Sequence, residues 1–176
     1  RWPLMRTDDL AGAVWIPGDG RTNPIDTTRA LAIGARNGGA LVRENVKATG
    51  IHRKNGVVTG VATDHGDVAC EYVVNAAGMW GRELGLMAGV TVPLHASEHF
   101  YIVTEPIAGI TPDLPVVRDT DGYIYLREEV GGILMGGFEP VAKPWGTYGI
   151  PEDFAFSLLA EDWDHFQLLM EQACLR

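Results

Sequence analysis

Most of the side chains that could do chemistry lie between residues 95 and 129. His99 opens a β-prone run, EHFYIVTE (98–105), and an imidazole titrates near neutrality, so it can take or give a proton at a reacting group. Tyr123 and Tyr125 fall on one face of GYIYLREE (122–129) by the two-residue period of a strand. Either hydroxyl could hydrogen-bond a carboxylate or an amine. Arg127 shares that face, and its planar fork could hold a carboxylate by two parallel hydrogen bonds. The chemistry within reach is proton transfer and carboxylate recognition. Plainer readings stand beside each: a packed or surface histidine, cross-strand aromatic packing, a surface ion pair. His95 and His99 are four apart with Glu98 between them. On a helix that spacing could seat a metal, but Pro93 and the β-prone context make the segment extended, where the two rings diverge. No third ligand is evident, and no metal is expected.

A second group of residues has the opposite character. In VVNAAGMWGRELG (73–85), an apolar run ends in Ala76, Ala77 and Gly78 just before a helical pattern. Open α/β sheets bind ligands beyond the carboxyl ends of their strands. Small residues there let a ligand approach the backbone, and a helix N-terminus offers unpaired N–H groups. Tight strand–helix packing would select the same residues. GGILMGGFE (131–139) is not a phosphate loop, because it lacks the Lys-Ser/Thr ending and is bracketed by strand signals. Its glycines more simply permit close approach of the backbone.

The elements that must position these residues are read as follows. Asn23-Pro24-Ile25-Asp26 is a helix start, with an N-cap, a first-turn proline and an acid at the positive end of the dipole. That helix stops at Asn37-Gly38-Gly39. Short β-rich runs follow at 40–45, 46–51, 57–63 and 67–75, with turns at Lys54-Asn55-Gly56 and Asp64-His65-Gly66. The unbroken apolar character of 72–75 predicts a strand buried on both faces, and a helix is expected over 79–88. Beyond Pro93, antiparallel strands are expected at 98–105, 122–129 and 131–139. An amphipathic helix is expected over 153–173, with Phe156, Leu159, Trp163, Phe166 and Met170 at helical spacing. The fold class is α/β, of mixed α+β character, with a domain boundary expected near residues 90–94, giving parts of two domains, 1–90 and 91–176.

The chain has 176 residues, 46% of them apolar and 21% charged, with a net charge of −9. These values fit a folded protein and exclude the basic footprint of a nucleic-acid binder. No apolar run reaches the length of a membrane span. Two cysteines, Cys70 and Cys174, have no CxxC spacing, so neither a disulfide framework nor a zinc site is expected. The chain opens on Arg1-Trp2-Pro3 and closes on Cys174-Leu175-Arg176 inside a helical pattern. The expectation is an internal piece of a longer protein.

VVNAAGMWGRELG resembles the second flavin-contacting strand–turn–helix of the D-amino-acid-oxidase-like FAD-dependent oxidoreductases. Upstream, DGRTNP, GALVRENVKATGI and the hairpin follow the same order. PLHASEHFYIVTE, VVRDTDGYIYLREEVGGILMGGFEP and LLAEDWDHFQLL resemble the sarcosine and dimethylglycine dehydrogenase branch, and equally a relative in that branch, the pyruvate dehydrogenase phosphatase regulatory subunit. The resemblance covers nearly the whole chain. It implies part of a GR-type, Rossmann-like FAD-binding fold with a β-meander over 1–90, and part of an antiparallel-sheet substrate domain over 91–176. It assigns Val46, Ala76, Ala77, Gly78 and Trp80 to the FAD, with Val46 contacting the adenine part through its backbone.

The resemblance further implies oxidative demethylation of an N-methyl amino acid, as in glycine betaine catabolism and one-carbon metabolism. His99, in the family's H-x-Y pair with Tyr101, then serves as the leading catalytic candidate with Tyr123 and Tyr125, and Tyr101 and Arg127 bind substrate. The implied partners are a small amine and an electron-acceptor protein or oxygen, in the bacterial cytoplasm or the mitochondrial matrix. Relatives often continue into a folate domain that would use tetrahydrofolate. GxGxxG and the C-terminal glycine-rich segment are absent from these residues, and any covalent flavin-linking histidine would lie upstream, so this stretch alone is not expected to hold FAD tightly or to be active. Where Phe138 stands the dehydrogenases often carry tyrosine. The rival reading is a non-catalytic regulatory subunit that keeps the fold and binds a partner enzyme.

Overall fold

The computed structural model describes residues 2–176. They form two compact units that alternate along the chain: one comprises the residues up to Asn23, Glu98–Lys143 and Leu158–Arg176, the other Pro24–Ser97 and Pro144–Ser157. The sequence reading cut the chain once, near 90–94. In the structure the units alternate along the chain, and the N-terminal arm joins the first of them: Trp2 Nε1 donates to the Pro115 carbonyl (2.8 Å), and Arg6 N to the carbonyl of Arg176, just past the C-terminal helix (2.6 Å).

The unit spanning Pro24–Ser97 and Pro144–Ser157 starts with α1 (Pro24–Asn37). It ends as its Asn-Gly-Gly predicts: Gly39 takes φ +93°, Ala40 N bonds the Ala35 carbonyl and Gly39 N the Arg36 carbonyl, a left-handed cap that satisfies two orphan carbonyls. A three-stranded antiparallel meander follows, β1 (Ala48–Lys54), β2 (Val57–Thr63) and β3 (Gly66–Ala69). The β1–β2 turn has Asn55 and Gly56 both at positive φ, 52° and 80°, as a two-residue Asn-Gly hairpin requires. A 3-10 turn (Gly78–Trp80) leads into the seven-residue α2 (Gly81–Met87). The short strands β4 (Ala96–Ser97) and β9 (Pro144–Trp145) pair antiparallel.

Two expected strands do not form. Residues 40–45 are irregular, with Asn45 at φ +57°. Residues 72–75 join no strand among the described residues, and Tyr72 and Val74 are 86% and 87% exposed. A strand buried on both faces needs a sheet to join and a layer packed on each face, and among the described residues 72–75 belong to neither the meander nor the β4–β9 pair.

The other unit is a four-stranded antiparallel sheet of order β5-β8-β7-β6, made of β5 (Tyr101–Val103), β6 (Val117–Asp119), β7 (Ile124–Glu129) and β8 (Gly132–Gly137). One face packs on α3 (Trp163–Leu175). The core is Ile124, Leu126, Met135, Phe166 and Leu169, with Ile124 and Leu169 essentially inaccessible to solvent. The terminal helix is shorter than the expected 153–173. Asp162 caps it by accepting from His165 N (3.0 Å), and Phe156 lies outside it at φ +52°, exposed. Of the expected stripe, Trp163, Phe166 and Met170 lie on the helix, and Phe166 is buried. Gly137 lets α3 sit on the sheet: a Cβ there would run into the Leu169 side chain and lie 2.7 Å from the Tyr123 carbonyl.

Candidate active site

Strand alternation sorts the residues of the four-stranded sheet onto two faces. Ile124, Leu126 and Glu128 are the buried set of β7; Tyr125, Arg127 and Glu129 are half-buried on the other side. The register sets Tyr101 (β5), Gly136 (β8), Tyr125 (β7) and Arg118 (β6) in one cross-strand row on that second face. His99 stands just before β5, with Nε2 3.0 Å from Tyr125 Oη and its ring parallel to the phenol, the centroids 5.9 Å apart. Phe138, just past β8, closes the cluster, 4.9 Å from His99 and 5.8 Å from Tyr125 between ring centroids. Gly136 makes room for this: a Cβ there would lie 2.6 Å from Tyr125 Cζ and 3.0 Å from the Phe100 carbonyl. The close approach allowed by the glycines of β8 is therefore made by Tyr125 and by α3. Burial raises the Tyr125 pKa; the Arg127 charge pulls it the other way and Tyr101 adds to the rise. The phenol is thus a neutral hydroxyl at physiological pH, able to donate to an unprotonated Nε2 or accept from Nε2–H.

Of the sequence candidates, His99, Tyr101, Tyr125 and Arg127 share this face. Tyr123 does not follow the two-residue period: it precedes β7, takes φ +61° and is exposed. Asp119 Oδ1 accepts from Asp121 N (3.1 Å) and Gly122 N (3.0 Å), tightening the β6–β7 turn that puts Tyr123 there. Arg127 is ion-paired to Glu129 at 2.7 Å. The sequence reading missed Arg118, whose guanidinium carbon lies 4.7 Å from the centre of the Phe138 ring. Its signal was the short run VVRD, where Arg118 falls opposite Tyr125 once the hairpin around Asp121-Gly122 is drawn. Also missed was the pair His165 Nε2–Glu139 Oε1 (3.0 Å), beside an open cavity of about 450 Å³ lined by Val141, Gln167 and Leu168 among others. Among the described residues no group of three or more His, Cys, Asp or Glu could hold a metal ion.

In the other unit, the turn after residue 75 is held by one side chain. Asn75 donates from Nδ2 to the Gly81 carbonyl (2.8 Å) and accepts from Ala77 N (3.2 Å). The close packing of this region falls on Gly81 and Gly85, which are buried; a Cβ on Gly85 would lie 2.5 Å from Val92 Cγ2. Gly78 has φ +55°, and a Cβ there would meet nothing within 4 Å. Trp80 is part-exposed, as is Val46. Neither the N–H nor the carbonyl of Val46 hydrogen-bonds within the described residues.

The family model described as "DAO: FAD dependent oxidoreductase" matches residues 1–175. The chain is 41% identical to 4-methylaminobutanoate oxidase (formaldehyde-forming) of Paenarthrobacter nicotinovorans, over 98% of this chain and 21% of that protein. It is 41% identical to the mitochondrial pyruvate dehydrogenase phosphatase regulatory subunit of Mus musculus (99% and 20%), and 43% identical to the mitochondrial sarcosine dehydrogenase of Homo sapiens (99% and 19%). The chain thus spans about a fifth of the length of these relatives. In fold it is similar to the crystal structure of L-proline dehydrogenase from P. horikoshii, with a TM-score of 0.68 and 24% identity over 90% of this chain and 40% of that one.

Proposed function

The chain belongs to the FAD dependent oxidoreductase family DAO, and from that premise we propose that it is part of an enzyme that oxidises the C–N bond of an N-methyl amino acid, sarcosine or dimethylglycine, with loss of the methyl group. The observation that carries this reading is the His99–Tyr125 hydrogen bond on an open, aromatic sheet face. Such a pair can hold or move the amine proton at Nε2 while the rings exclude water from one side. The similarity to a sarcosine dehydrogenase and to a formaldehyde-forming methylamine oxidase supports the substrate class.

The residues of the Asn75 turn fit a dinucleotide cofactor. Gly78 adjoins open space that a ligand chain can enter, and the main chain of Val46, without a hydrogen bond among the described residues, can hydrogen-bond one. Val46, Ala76, Ala77, Gly78 and Trp80 would hold FAD, with the Ala77 N–H kept by Asn75. When bound, FAD supplies the two-electron oxidation of the carbon beside nitrogen, and the electrons pass on to an acceptor protein or oxygen. Tetrahydrofolate as acceptor of the one-carbon unit is the remaining part of the proposal and rests on the family resemblance alone.

A second reading is favoured by one residue. Phe138, against His99 and Tyr125, has no hydroxyl where the dehydrogenases often carry one, and the regulatory subunit of pyruvate dehydrogenase phosphatase is as similar to the chain as the oxidase is. The test uses the intact protein: its visible spectrum is recorded, then sarcosine and dimethylglycine are added without oxygen. Bleaching of a flavin band by either amine is the expected result. No flavin band, or one that neither amine bleaches, overturns the demethylation reading in favour of the regulatory one.

A further inference from the structure

We infer that Arg118 is the residue that receives the substrate carboxylate, in place of Arg127, which the sequence pattern singles out. The inference deepens the reading of this chain as part of an N-methyl amino acid oxidoreductase and rests on it for the identity of the ligand. Four observations point to Arg118. It lies opposite Tyr125 in the β6–β7 register, and so on the face that carries the His99–Tyr125 hydrogen bond. It is exposed, and among the described residues no carboxylate lies within ion-pair distance of it. That is notable in a chain with 23 acidic and 14 basic residues. Its guanidinium carbon lies 4.7 Å from the centre of the Phe138 ring, a cation–π contact that holds the charge near the ring without consuming a carboxylate partner. Arg127, by contrast, already has its carboxylate in Glu129.

An amino acid substrate needs a fixed cation for its carboxylate if its amine is to meet the proton-handling pair in one orientation. Arg118 supplies that cation beside the pair, and a planar, bidentate donor gives direction as well as charge. Phe138 then acquires a role that no tyrosine hydroxyl is required for: it is the platform on which the guanidinium rests.

The experiment measures binding of (methylthio)acetate, a carboxylate with no amine to oxidise, to the intact protein by titration calorimetry, alongside anaerobic bleaching by sarcosine. The wild type should bind the probe. Arg118→Met should bind it about ten- to a hundredfold more weakly, the loss expected for one charge-assisted contact; Arg118→Lys should recover part of the affinity, and Arg127→Met should retain it. In the bleaching assay Arg118→Met should raise the half-saturating amine concentration more than it lowers the limiting rate. Equal binding by wild type and Arg118→Met, or no binding by the wild type, overturns the assignment. Probe binding that depends on Arg118, with no bleaching by either amine, overturns the demethylation reading and leaves Arg118 as the carboxylate site.

Discussion

At the scale of single residues, the cluster around Tyr125 makes two demands that substitutions can separate. If His99 handles the amine proton, His99→Gln should slow amine-driven bleaching in the intact protein by roughly 10²–10⁴-fold and flatten its pH profile. Tyr125→Phe removes only the hydrogen-bond partner and should cost about tenfold. An unchanged pH profile in His99→Gln would leave the ring as packing against Phe138 and nothing more. Gly136→Ala tests the floor of the site. Its Cβ would sit 2.6 Å from Tyr125 Cζ and against the Phe100 carbonyl, so it should displace the phenol and match or exceed the loss in Tyr125→Phe. The two should not be additive when combined. His99, Tyr101 and Tyr125 were legible because residue type and strand period survive in any sheet that forms. Arg118 was not, because β6 is three residues long and its place on the face depends on a turn drawn tight by Asp119.

At the scale of elements, local signals succeeded where they were self-sufficient. The Asn55-Gly56 hairpin, the Gly-capped end of α1 and the β7–β8 pair each carry their own turn chemistry and needed no distant partner. The runs 40–45 and 72–75 have strand composition, but strand formation also needs neighbouring backbone, and none pairs with them among the described residues. The apolar pattern of 153–173 continued through residues that do not join α3, since Asp162 makes a stronger helix start than anything upstream of it. The contact of α3 with the sheet should be the most sensitive in its unit. Gly137→Ala drives a methyl into Leu169 and the Tyr123 carbonyl and is expected to cost about 1–3 kcal/mol through overpacking. Leu169→Ala, at a fully buried position, should cost about 2–5 kcal/mol. Urea denaturation of the intact protein measures both. In the double variant the cavity relieves the side-chain clash but not the carbonyl contact, so the sum of the single losses should exceed the double loss. A strictly additive pair would mean that Gly137 is constrained by the backbone of Tyr123 alone.

At the scale of the whole molecule, composition set the broad class, while the interleaving of the two units depends on contacts between residues far apart in sequence, which no local pattern encodes. Arg176 is the clearest case: its guanidinium bridges Asp119 and Asp9, at 2.7 Å each. Those contacts tie stability to pH. For Asp119, burial works to raise the pKa, but the Gly122 N–H, Arg176 and the Asp121 N–H outweigh it, and the net shift is downward. The Glu128 pKa is lowered by its hydrogen bond from Arg21 and by the Gly131 N–H. A carboxylate whose folded pKa lies below its unfolded value binds fewer protons in the folded state. Its stabilising contribution is therefore complete above the unfolded value, near 4 for these groups, and is lost as the pH falls through the folded one. The midpoint of urea denaturation should accordingly hold level from pH 7 to about pH 5 and decline below about pH 4. Asp119→Asn gives up that contribution at every pH: it should be less stable than the wild type at pH 7, with the gap narrowing as both are acidified. No gap at any pH would mean that Asp119 acts only through the two N–H bonds of its turn, which the Asn Oδ1 can still accept, and that its charge, shared with Arg176, contributes nothing to joining the two ends of the chain.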